Sequence, residues 1–214
     1  MSKTKKPIDP GYFRRYAGRR GSYAKLWREH SPVDMCVDQF RHPAAPRLRN
    51  ICVLGTATGQ VLREFDRGLG IRPHGCEISR WAFERIPKAY RSRIRCEDMR
   101  EYLEKAEARG KVFDLVFSNS SLVYLPRREL ASFLRRVART TRFLYFNSSF
   151  KGAACRDDYR EILETFDWWN VRIKRAGFRE LKTDRGASTF LWESKRLDPK
   201  AIDLRVGSRG RGER

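Results

Sequence analysis

Between residues 50 and 147 short apolar runs alternate with stretches whose apolar positions recur every three or four residues. The runs 51–54, 71–77, 93–96, 113–117 and 142–147 are short enough for strands, and 51–54, 113–117 and 142–147 are rich in the β-branched or aromatic side chains of buried ones. The stretches 60–66, 79–85, 99–108 and 127–139 have helical spacing; Leu130, Phe133, Leu134 and Val137 give the last of them one apolar face. Five strands separated by helices require parallel pairing through right-handed crossovers. After 147 the beat changes. A helix over 159–175 is predicted to end at Gly177, and two strands, 178–183 and 188–193, are joined by so short a link, 184–187, that they must form an antiparallel hairpin. The pattern predicts an α/β, doubly wound, seven-stranded sheet, mostly parallel with a C-terminal antiparallel hairpin and helices on both faces.

The regions outside this beat are basic and turn-rich. Residues 1–21 read as a flexible basic arm, with Lys3, Lys5, Lys6, Arg14, Arg15, Arg19 and Arg20 among prolines and glycines. Ser22 can cap a helix containing Leu26 and Trp27, and a second helix over 33–40 ends before Pro43 and Pro46, so 22–46 is expected to form a helical lid. Residues 22–196 make one domain, and 197–214, with Ser208-Arg-Gly-Arg-Gly212, a disordered basic tail. With 214 residues, 40% of them hydrophobic, the chain can bury a core without disulfides or metals. Cys36, Cys52, Cys76, Cys96 and Cys155 lack metal-ligand spacing and read as small buried hydrophobes; no metal site is expected. No apolar run approaches a membrane span, and the first 20 residues lack the apolar segment of a secretory leader, so a cytoplasmic address is expected.

Net charge adds a question about partners. Of the total of +21, the segments 1–20 and 195–214 carry +6 and +4, leaving +11 on the body. Such an excess suits nucleic-acid phosphate, yet equally describes a solvated surface, and by itself it does not choose.

Candidate chemistry concentrates after the first strand, where Ile51-Cys-Val-Leu-Gly-Thr-Ala-Thr-Gly-Gln60 turns into a helix. Gly55 and Gly59 are expected to let backbone approach a ligand. A dinucleotide fingerprint would place glycines at 55, 57 and 60, where the chain has Ala57 and Gln60; a P-loop would need a Gly-Lys-Ser/Thr ending that is absent. Five parallel strands, a closing hairpin and this turn resemble the class I, Rossmann-like S-adenosylmethionine-dependent methyltransferases over roughly residues 45–195. The family's acidic-x-Gly-x-Gly-x-Gly turn falls on Val53, Gly55, Ala57 and Gly59, of which Gly55 and Gly59 match.

The resemblance implies S-adenosylmethionine as cofactor, held by Gly55, Thr56, Ala57 and Gly59. Glu77 at the second strand's end would accept the ribose hydroxyls, with Ile78 against the adenine. After the third strand Asp98 would accept from the exocyclic amine and Met99 pack on the ring; Asp98 also reads as the N-cap of the following helix. Asn119 and Ser120, in the uncharged run Ser118-Asn-Ser-Ser121, would lie beside the transferable methyl, because a cation in contact would repel the sulfonium. Tyr124, with Asn119, is a substrate-side candidate.

The acceptor is bounded by exclusion. There is no Asp/Asn-Pro-Pro-aromatic run for a base amine and no Pro-Cys pair for cytosine C5, and the Lys-Asp-Lys-Glu set of ribose 2′-hydroxyl enzymes lacks its aspartate near Asn119. Trp168 and Trp169, in the helix before the hairpin, read as core. Three functions remain open: methyl transfer to a small or anionic acceptor, methyl transfer to RNA or DNA guided by the basic arm and tail, and a non-catalytic binding protein on the same fold.

Overall fold

The computed structural model describes residues 31–41, 45–151, 160–182, 186 and 188–197. The expected arm 1–21, the helix starting at Ser22, Cys155 and the tail beyond 197 lie outside the described residues.

One seven-stranded sheet organises the chain, in the order β3-β2-β1-β4-β5-β7-β6. β1 (Ile51–Leu54), whose four side chains are all buried, sits between β2 (His74–Cys76) and β4 (Phe113–Asn119), parallel to both. β3 (Ile94–Arg95) and β5 (Thr141–Asn147) extend the parallel set. β6 (Phe178–Lys182) and β7 (Ser188–Ser194) form the antiparallel hairpin, with β7 paired to β5. Strand alternation splits the core into two layers. Ile51, Val53, Leu115, Phe117, Phe143 and Tyr145 pack with α1 (Pro32–Arg41) and α2 (Gln60–Leu69) on one face. Cys52, Leu54, Val116, Leu144 and Phe146 pack on the other with α5 (Met99–Ala108), α6 (Leu130–Thr140) and α7 (Phe166–Arg175). Two one-turn helices, α3 (Arg80–Phe83) and α4 (Lys88–Arg91), lie between β2 and β3.

Several boundaries differ from the sequence pattern for local reasons. The second strand begins at His74 rather than 71, since Pro73 has no N–H for the ladder. The helix expected over 79–85 is a single turn, and Pro87 separates it from α4, which the pattern did not predict. α2 runs on to Leu69 and stops where Gly70 adopts φ 67°, its N–H donating to the Asp66 carbonyl. α6 starts three residues later than expected, after a turn in which Glu129 N–H donates to the Pro126 carbonyl.

The largest correction concerns the helix expected over 159–175, which begins only at Phe166. Its described approach is not helical, because Glu161 and Ile162 donate their N–H groups to the Val123 carbonyl and Thr165 caps the helix by accepting from Trp168 N–H at 3.2 Å. α1 also differs from a lid. Val33, Cys36 and Val37 are buried against α2 and the sheet, Phe40 meets Phe143 edge-on at 5.5 Å, and Ser31 donates to the buried Glu64 of α2 at 2.8 Å. The described part of the expected lid is a core layer.

Candidate active site

Parallel register aligns the C-terminal ends of five strands. Leu54 is opposite Cys76, Cys76 opposite Arg95, Val53 opposite Phe117, and Asn119 opposite Asn147. Residues 96–99, 77–79, 55–59 and 119–121 therefore lie side by side along one sheet edge. This edge includes the β1/β4 boundary, where the order of connections reverses and open α/β sheets form a crevice.

The loops along this edge brace one another. Gly55 and Thr56 both donate N–H bonds to the Cys76 carbonyl, at 3.0 and 3.2 Å, and Gly59 N–H closes the turn on the Thr56 carbonyl at 2.9 Å. Ser121 Oγ donates to the Leu54 carbonyl at 2.7 Å, tying the β4 end to the same turn. The two glycines have internal reasons in this geometry. A Cβ on Gly55, at φ 75°, would come within 2.2 Å of Ser121 Oγ; one on Gly59, at φ 84°, would meet Pro87 and Ile86 at 3.1 and 3.2 Å. To the ligand approach read from the sequence, the structure adds side chains of the protein as neighbours that require both glycines. Two non-glycine residues on the edge also take left-handed backbone, Ala57 at φ 47° and Ser120 at φ 60°. Each is strained by roughly 1–2 kcal/mol and held by a hydrogen bond, Ala57 N–H to Glu77 at 2.7 Å and Ser120 N–H to the Asn147 carbonyl at 2.7 Å.

Glu77 is the buried charge of the edge, only 2% exposed. Its two oxygens accept from Ala57 N–H and, at 2.9 Å, from Ser79 N–H. Burial pushes the carboxyl up to about 6, with these backbone donors partly opposing the rise. Each oxygen keeps a further lone pair, so the group that fixes the turn can accept a ligand hydroxyl as well. Ile78 beside it is 52% exposed and presents an apolar surface at the edge.

Asp98 is the N-cap of α5, accepting from Arg100 N–H at 2.7 Å, and it also takes the Arg100 guanidinium on both oxygens. Burial would raise its carboxyl, but Arg100 overrides that and holds it below the usual range. Arg100 is held in turn by Glu129 at 2.7 Å, which links the β3 end to the start of α6. Met99 is half-buried against the core below. Sequence reasoning named Asp98 and overlooked Arg100, although an arginine two residues after a capping aspartate is the available signal.

At the β4 end the strand runs two residues further than expected, so Ser118 and Asn119 are on β4 itself. Thr56 Oγ1 and Ser118 Oγ are buried without a hydrogen-bond partner, and such orphans mark where a bound polar group would complete the site. Tyr124 ends a short 3₁₀ turn, Leu122–Tyr124, half-buried against the core. Beyond β5 a cluster that the sequence reading did not single out borders the edge: Phe150 stacks on Phe190 at 6.2 Å, and both meet Phe166 edge-on at 5.6 and 5.5 Å. The sequence signal was weak because each phenylalanine comes from a different element.

No candidate base is supplied by His74, which is at the opposite end of β2 and which burial, with Lys111 and Arg93 nearby, lowers to about 4. Burial pushes the Cys52 thiol up to about 12 and raises Cys36 and Cys76, so these three are neutral hydrophobes. Among the described residues no group of three or more His, Cys, Asp or Glu side chains could hold a metal ion.

The donor set along the edge fits an adenosyl cofactor: carboxylates at the ends of β2 and β3, apolar Ile78 and Met99 beside them, and orphaned hydroxyls at β1 and β4. Comparisons with known proteins agree. A family profile described as a methyltransferase domain matches residues 51–143. The fold is similar to that of a SAM dependent methyltransferase from Archaeoglobus fulgidus, with TM-score 0.62 and 16% identity over 90% of this chain and 88% of that one. It is similar to DesVI of Streptomyces venezuelae, with TM-score 0.57 and 18% identity over 88% and 99% of the two chains. Magnesium protoporphyrin IX methyltransferase of Synechocystis PCC 6803 with bound SAM gives TM-score 0.54 and 16% identity over 91% and 100%. No curated protein matches the chain by sequence. Residues 51–143 match a methyltransferase domain, and the chain has the class I, Rossmann-like fold of the S-adenosylmethionine-dependent methyltransferases it resembles.

Proposed function

We propose that this enzyme transfers a methyl group to a small or anionic acceptor at the end of β4. The observation that carries this reading is the uncharged β4 end, Ser118, Asn119, Ser120 and Ser121, fixed to the β1 turn by the Ser121–Leu54 bond. When bound, the cofactor supplies an electrophilic methyl group on a sulfonium sulfur. Gly55, Thr56, Ala57 and Gly59 would line its methionine half, and Glu77 would accept the ribose hydroxyls without leaving the turn. Ile78 and Met99 would sandwich the adenine. Asp98, engaged by Arg100 through three donors, would accept from the exocyclic amine through the remaining lone pair of Oδ2. Asn119 and Tyr124 would border the acceptor, with the Phe150, Phe166 and Phe190 cluster excluding water beside them.

Val53 stands where the family's turn has an acid, and it is buried in the core beneath the turn. The cofactor's ammonium would then be met by backbone carbonyls and the Asn119 amide rather than by a carboxylate. The β4 end itself, residues 118–121, contains no histidine or carboxylate to take a proton, which favours an acceptor that arrives already nucleophilic, such as a carboxylate or phenolate. Displacement then depends on alignment and exclusion of water. Transfer of labelled methyl from S-adenosylmethionine to a panel of small carboxylates and phenolates, run beside total RNA, tests this. Label entering RNA alone would refute it in favour of the nucleic-acid reading that the excess of +11 on the body supports.

A further inference from the structure

α6 and α7 lie on the same face of the sheet and enclose between them a cavity of about 340 Å³, separate from the edge that carries the cofactor residues. Helical spacing sets its walls. Arg127 precedes α6 and Arg135 follows two turns later, while Trp168, Arg172 and Arg175 recur at intervals of four and three along α7. Four arginines therefore line one concavity. The Trp168 indole organises two of them, with the Arg172 guanidinium 3.4 Å and the Arg127 guanidinium 5.0 Å from its ring centre. Its neighbour Trp169 is a core residue, so the pair divides between packing and cavity.

The charge in this cavity is not balanced as it is elsewhere on the same helices. Arg136 and Arg139, flanking Arg135 in sequence, share Glu107. Within the cavity, Glu164 pairs with Arg127 and also acts on Arg172, whereas Arg135 and Arg175 have no ion pair among the described residues, so one carboxylate faces four arginines. Burial and repulsion by Arg127 and Arg175 weaken the hold of Arg172 on its proton. Like charges gathered in a concave, partly desolvated place repel one another, and a multiply charged anion relieves them.

We propose that this cavity binds a ligand bearing phosphoryl groups and at least two negative charges. Guanidinium forks arriving from two helices match the several oxygens of such a group bidentately. A single carboxylate would leave most of the charge unmet, and the volume is within the range of small-molecule sites. The upper end, Arg127 and Trp168, lies three residues beyond Tyr124 and in the first turn of α7; the lower end, Arg175, is about 10 Å along the helix. The ligand is either a free phosphorylated compound or one unit of a phosphodiester strand, which share this chemistry. The site is independent of the methyl-transfer reading.

Titration calorimetry of the full chain with inorganic pyrophosphate at low ionic strength, and anisotropy of a labelled oligouridylate, test the proposal. They are run on the wild type, on the cavity variant Arg135→Ala/Arg175→Ala, and on Arg63→Ala/Arg67→Ala on α2 as the charge-matched control, with melting temperature checking the fold. Saturable pyrophosphate binding, weakened roughly tenfold or more by the cavity variant and unchanged by the control, is expected. Saturation by the oligouridylate alone, with the same variant dependence, supports the site and assigns the strand as its source. Binding of neither probe, or equal weakening by both variants, overturns it, the latter reducing the effect to diffuse surface charge.

Discussion

Glu77 joins two roles in one carboxylate, because the group that would hold the ribose also holds the strained Ala57 turn. Its carboxyl is raised from 4.5 to about 6, so the folded state retains a proton that the unfolded chain has already released. Stability therefore falls as pH rises through this window and stays lower above it, by about 2 kcal/mol for a shift of this size. Urea denaturation of the wild type and Glu77→Gln from pH 4 to 7 should show their difference changing by about that amount between 4.5 and 6. A pH-independent difference would remove Glu77 as the source. Ribose hydroxyls favour the ionised form, so affinity for S-adenosylhomocysteine should weaken below pH 6, by up to about tenfold per unit, in calorimetry across the same range. Gly55 gives the complementary steric test. Gly55→Ala should destabilise by roughly 2–4 kcal/mol, from positive φ and from collision with Ser121 Oγ. Adding Ser121→Gly removes the collision together with the Ser121–Leu54 bond, so the double variant should be destabilised by less than the sum of the two single variants; full additivity in the double-mutant cycle would mean the two residues do not meet.

At the scale of elements, boundaries followed from the sequence wherever one interaction is local, and shifted wherever a distant partner competes. Gly55 and Gly59 identified the turn after the first strand, and Asp98 the start of α5, because a turn and a cap are decided within a few residues. The segment before α7 has helical apolar spacing, yet the Val123 carbonyl, far away in sequence, takes the N–H groups of Glu161 and Ile162. Such competition has no periodicity to reveal it. The same holds for the glycines, whose positions were legible while their neighbours, Ser121 and Pro87, were not. If Thr165 does begin α7, Thr165→Ala should lower stability by about 1 kcal/mol in denaturant titration and Thr165→Asp should restore it. Equal stability of the three proteins would move the helix start upstream, toward the longer helix.

Across the whole molecule, the two faces of the sheet are unequal in what they contribute. The face carrying α5, α6 and α7 includes the brace from Asp98 through Arg100 to Glu129, so the β3 end of the edge is positioned by helices beneath it. The opposite face is closed by α1, and there the expected lid and the observed core layer make opposed predictions. A lid that only covers a ligand can be removed without loss of stability. α1 instead buries Val33, Cys36 and Val37 over β1, β4 and β5, packs Val37 so closely on α2 that a Cβ added to Gly68 would come within 3.2 Å of it, and has beside it Ser31, which donates to the buried Glu64. Removing it would expose several fully buried side chains, each worth about 1.5–3 kcal/mol, together more than the 5–15 kcal/mol margin of an ordinary domain readily tolerates. Deletion of residues 1–41 should therefore leave a chain without a cooperative thermal transition. Deletion of residues 1–21 separates loss of α1 from loss of the basic arm, and should melt within a few degrees of the full chain. A 1–41 deletion that melts normally and changes only cofactor affinity would restore α1 to the role of a lid.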